Sequence, residues 1–91
     1  MKTPHADALP NPPDPAEAQR SEFGRRLLRL RRDRGWTLAD LSERSGVAIS
    51  TISKAERGVM ALTYDRMAQL ADGLDIDMTE LFTTEGKVFA P

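Results

Sequence analysis

The side chains best able to engage a partner cluster between positions 47 and 57. Val47, Ile52 and Ala55 fall on one face of a helix, leaving Ile49, Ser50, Thr51, Ser53 and Lys54 on the other, with Arg57 just beyond. Serine and threonine hydroxyls both donate and accept hydrogen bonds, lysine and arginine attract anions, and isoleucine offers only apolar contact. Such a set suits polar recognition of an anionic surface. It does not suit bond making. The single histidine, His5, sits in a proline-rich stretch, there is no glycine-rich phosphate loop, and the T-x-x-K spacing of Thr51 and Lys54 stands without partner groups. With no cysteine there is neither a thiolate metal site nor a disulfide. The reading is therefore a non-enzymatic protein with no metal and no cofactor.

Those side chains need a rigid mount, and residues 37–58, TLADLSERSGVAISTISKAERG, supply one. Thr37, with Asp40 three residues on, forms a helix-start signature: the hydroxyl can accept the amide of Asp40 while the carboxylate lies near the positive helix end. Small Ser42 allows a close helix approach, Gly46 provides a permissive turn, and Val47 with Ile52 anchors the next helix. Two short helices joined by a tight turn follow, a helix-turn-helix.

Upstream, Phe23, Leu27 and Leu30 recur at i, i+4 and i+7, so a first helix is expected from a Ser21 cap to Gly35. Arg25, Arg29 and Arg32 point away from that stripe, whereas Arg31 lies on its flank beside Leu27. Trp36 is expected to cover the core between the first two helices. Downstream, Gly58 closes the third helix, Thr63 opens a fourth with Met67, Leu70, Ala71 and Leu74 inward, Gly73 falls near its end, and Leu81 and Phe82 of a short fifth are expected to seal the base. The fold class is all-α, a compact five-helix domain over 21–82. Residues 1–20, holding all but one of the six prolines, are expected to be a disordered arm, and 83–91 a tail or the start of a linker.

The order GWTLADLS, GVAISTIS, KAERG, then YDRMAQLADGLDIDMTELF, spread over residues 22–82, resembles the phage repressor and Cro class, the XRE family of bacterial transcription regulators. The resemblance implies sequence-specific binding of a double-stranded DNA operator, with the third helix, about residues 48–56, in the major groove. It places Ser50, Thr51 and Lys54 at base edges, Ile49, Ser53 and Arg57 beside them, and Thr37 at a phosphate as well as at the cap. Leu38 occupies a position where the family often has glutamine, and leucine can make no such bond. The loop at 59–62, VMAL, lacks the family's usual basic or proline character. The resemblance also pairs Arg31 with Glu56, and the flank position of Arg31 agrees.

The net charge of −1 hides a polarity along the chain, since residues 21–35 carry six arginines against two acids while 58–91 sum to −4. A basic face with an acidic rear is compatible with DNA binding and argues against indiscriminate adhesion. No apolar run has membrane-spanning length and no signal peptide is evident, so a cytoplasmic protein is expected. Operators are usually bound by symmetric dimers, which makes a homodimer the default partner state. The closing KVFAP suggests a further C-terminal sensor domain, of cupin type in many family members. The rival reading is a protein-interaction module on the same fold, an antitoxin or antirepressor, whose apolar rim would be Leu38, Ile49, Val59, Met60 and Leu62.

Overall fold

A computed structural model describes residues 14–82, and those residues form five helices and no strand. In chain order they are α1 (Pro15–Asp33), α2 (Leu38–Ser45), α3 (Ile49–Glu56), α4 (Tyr64–Leu74) and α5 (Met78–Phe82). Helix α1 packs across α3 and α5, α2 sits between α3 and α4, and α4 leads into α5. The fully buried side chains Leu27, Leu41, Val47, Ile52, Ala55, Leu70, Leu74 and Leu81 meet in one core to which all five helices contribute. Among the described residues, no helix is long and apolar enough to cross a membrane.

The first helix corrects the expected boundary. It opens at Pro15 rather than at a Ser21 cap, so residues 15–20, assigned to the arm, are helical. Proline is well placed there, because the first helical position has no amide partner to lose, and the AEAQR that follows is rich in helix formers. Asp14 is the N-cap, without a side-chain cap bond. Ser21 instead lies inside α1 against the turn after α3: a Cβ on Gly58 would stand 3.0 Å from the Ser21 Cα. The rest of the proposed arm, residues 1–13 with His5, and the proposed tail, 83–91, lie outside the described residues.

Local signals account for most other ends. Thr37 and Asp40 form a complete capping box on α2, in which the Asp40 amide donates to Thr37 Oγ1 at 3.0 Å and the Thr37 amide donates to Asp40 Oδ2 at 2.9 Å. Gly46 ends α2 with φ of 80°, a left-handed conformation open to glycine at little cost. Thr63 caps α4 by accepting the Arg66 amide at 3.2 Å. Helix α4 then runs through Gly73 and stops at Asp75, itself left-handed at φ 61°.

Ser42 is half-buried, and a measured close approach between helices falls at Gly73 and Ser45. A Cβ on Gly73 would lie 2.8 Å from the Ser45 Cα, so α4 and α2 meet there nearly backbone to backbone. The Ser45 hydroxyl, buried in the turn, accepts the Val47 amide at 3.1 Å. Phe82 departs from its expected sealing role. Its neighbour Leu81 takes the core position, and a one-residue step round a five-residue helix leaves Phe82 53% exposed, its ring centroid 5.9 Å from that of Phe23.

Candidate nucleic-acid interface

Helix α3 is fastened by its inner face and its C-terminal end. Val47, Ile52 and Ala55 are buried as their spacing predicts, and α1 lies so close that a Cβ on Gly24 would overlap the Ala55 carbonyl oxygen and stand 2.6 Å from that of Glu56. The opposite face is open: Ser50, Lys54 and Arg57 are exposed, Ile49 is 46% exposed, and Thr51 and Ser53 are half-buried. Ala48, the N-cap, offers no side-chain bond to the first amides of α3. Thr37 is exposed at the start of α2. Leu38, next to it, is half-buried and packs on the core, so its apolar side chain is a packing element.

Arg31 holds the two parts together. Its Nε donates to Glu56 Oε2 at 2.7 Å and its Nη2 to Glu56 Oε1 at 2.9 Å, a two-pronged bridge from α1 to the last residue of α3. Its Nη1 donates to the Trp36 carbonyl at 2.7 Å, one residue before the cap of α2. The two side chains are only 11% and 7% exposed, and such a bidentate charged pair combines strength with a fixed geometry. The hydrogen bond to Glu56 raises the Arg31 pKa against the opposing effect of burial. On the other side of the motif, the Thr37 amide bonded to Asp40 lowers the carboxyl pKa of Asp40, helped by the Thr37 hydroxyl and the Arg44 charge.

At least three of the six arginines in 21–35 are committed to holding the fold. Besides Arg31, Arg26 donates to the Leu81 carbonyl at 3.1 Å and lies 3.7 Å from Glu22, and Arg34 donates to the carbonyls of Leu30 and Leu74, each at 2.9 Å. The Arg34 and Arg44 guanidiniums lie 5.7 and 4.2 Å from the centroid of the Trp36 ring, which packs on the core as expected. Arg25, Arg29 and Arg32 are exposed along α1. The basic character of this segment is thus partly internal. Gly24, Ser45 and Arg34 escape sequence reasoning because their partners lie 28 to 40 residues away; only glycine in mid-helix, at position 24, carries a visible signal.

This arrangement matches the family model HTH_3, helix-turn-helix, over residues 27–81. The chain belongs to the HTH_3 family. As a member of this XRE-type family it is a DNA-binding transcription regulator. Among solved structures, the restriction-modification controller protein C.AhdI from Aeromonas hydrophila is similar, at 35% identity and a TM-score of 0.70, over 71% of this chain and 98% of that one. An HTH_3 family transcriptional regulator from Vibrio cholerae is similar at 25% identity and a TM-score of 0.71, over 74% of this chain but only 38% of that longer one. No curated protein matches the chain significantly. The HTH_3 match begins twelve residues after the start of α1.

Proposed function

We propose that this HTH_3 protein binds a double-stranded DNA operator as a homodimer in the cytoplasm, with α3 of each protomer in the major groove. The observation that carries the reading is the solvent-facing side of α3, where Ser50 and Lys54 project from a helix seated by its opposite face, with Arg57 one residue beyond its end. Lys54 can address guanine O6 and N7, Ser50 and Thr51 act as tolerant hydroxyl readers, and Ile49 supports contact with a thymine methyl. Ser53 and Arg57 flank them on the phosphate side, and the α2 N-terminus at Thr37 directs its dipole at a phosphate. Leu38 contributes no polar contact there.

The similarity to C.AhdI over nearly that protein's whole length extends the reading to one gene class: the control of a restriction-modification system. Selecting bound sequences from random duplexes tests the core of the proposal. An enriched, two-fold symmetric sequence is expected; Lys54→Ala should relax preference at one position per half-site at a cost of about 1–3 kcal/mol, and Arg57→Ala should weaken all sequences alike. No enrichment at low salt would favour the antitoxin or antirepressor reading instead. An enriched sequence absent from the promoters of restriction-modification genes would remove the narrower claim.

A further inference from the structure

Helix α2 has only eight residues, so its direction depends on how its two ends are held. Trp36, one residue before the cap, reaches both. Its amide donates to the Arg31 carbonyl at 3.2 Å and its carbonyl accepts Arg31 Nη1 at 2.7 Å, which pins the entry to α2 on the arginine that also grips Glu56 of α3. Its half-buried ring packs on the core, and the guanidinium of Arg44, from the last turn of α2, stands 4.2 Å from the ring centroid. That is well inside the roughly 6 Å over which a cation is drawn to an aromatic face, and tryptophan offers the most favourable face. Arg44 is otherwise exposed, one helical turn beyond the Asp40 carboxylate that feels its charge, so core packing does not hold it against the ring.

We propose that Trp36 is a positioning residue for DNA binding: with Arg44 stacked on its ring it braces α2 along its length and fixes the tilt of the α2 N-terminus relative to α3. The inference rests on the reading of Thr37 at a phosphate and deepens it. A hydrogen bond from a helix N-terminus depends on direction as well as distance, so a tilted α2 loses its phosphate while α3 keeps its seat. Arg34, whose guanidinium lies 5.7 Å from the same ring, is tied to the Leu30 and Leu74 carbonyls and anchors Trp36 to the rest of the fold.

The test uses the full chain carrying Trp36→Leu, which keeps an apolar cover, or Arg44→Lys, which keeps the charge but not the planar stack. Residual dipolar couplings of the free protein should show α2 reoriented against α3 in both, more so in Trp36→Leu. Affinity of the folded fraction for the selected duplex should fall about tenfold in Trp36→Leu and by less in Arg44→Lys, with the salt slope unchanged because no cation is lost. The double variant should bind no more weakly than Trp36→Leu alone, since Arg44 acts through the ring. Unchanged couplings or unchanged affinity in Trp36→Leu would overturn the proposal. Additive losses would also overturn it, by making Arg44 a DNA contact in its own right. If the native chain enriches no duplex, the reading at Thr37 falls and the proposal with it, whatever the couplings show.

Discussion

Glu56 accepts two hydrogen bonds from Arg31 in a nearly dry setting, so neutralising it leaves a buried guanidinium without its counter-charge. Breaking one side of such a pair costs roughly 3 kcal/mol. Glu56→Gln should therefore lower Tm by more than about 10 °C in a thermal melt, and a melt matching the unaltered protein would show that the bridge holds nothing. Asp40 gives a different signature. Its pKa is depressed in the fold, so its contribution to stability is complete above the ordinary carboxylate value near 3.9 and is lost as pH falls through the lower folded value. Asp40→Asn keeps a neutral acceptor, so the Tm gap between it and the native chain should be constant above about pH 5 and close in stronger acid. A gap that persists unchanged to about pH 2 would contradict the capping role of the charge. The Thr37–Asp40 box was readable in the sequence because both its bonds span three residues.

At the scale of elements, the seat of α3 depends on Gly24 as much as on the core. The atoms a new methyl would meet are the carbonyl oxygens of Ala55 and Glu56, which belong to backbone and cannot rotate aside. Gly24→Ala must separate α1 from α3, at a cost of about 1–3 kcal/mol, and should weaken DNA binding beyond the loss of folded protein. Gly35→Ala is the control: it strains a φ of 71° but meets nothing within 4 Å, so it should lower Tm without altering the affinity of the folded fraction. Equal effects of both variants on DNA affinity would show that the α1–α3 contact does not position α3. The helices themselves followed from hydrophobic spacing and caps, except where Pro15 and the AEAQR stretch extended α1 beyond any cap signal at Ser21.

For the whole molecule, charge placement matters more than net charge. Arg26, Arg31 and Arg34 are bonded to carbonyls or carboxylates of the fold, while Asp65, Asp72, Asp75, Asp77 and Glu80 are exposed on α4, α5 and the turn between. With Lys54 in the groove and Arg57 at a phosphate of each half-site, a dimer brings four cations to the duplex and displaces about as many condensed ions. Log affinity should then fall against log salt with a slope of roughly −4. A slope of about −8 or steeper would bring the exposed Arg25, Arg29 and Arg32 of α1 onto DNA and call for a wider footprint.

The sequence alone determined the five-helix order, the helix-turn-helix, and the outward set on α3, because these rest on turns, caps and periodicities that operate within a few residues. It also pointed to Arg31 and Glu56 through the flank position of the arginine and the family resemblance. Only the tertiary structure decided that Arg34 closes the end of α4 through the Leu74 carbonyl, that Gly24 admits the backbone of α3, and that Phe82 is left half open beside Phe23. Those outcomes join residues 31 to 59 positions apart. They depend on how closely helices approach once the core is packed, a distance that no local pattern encodes.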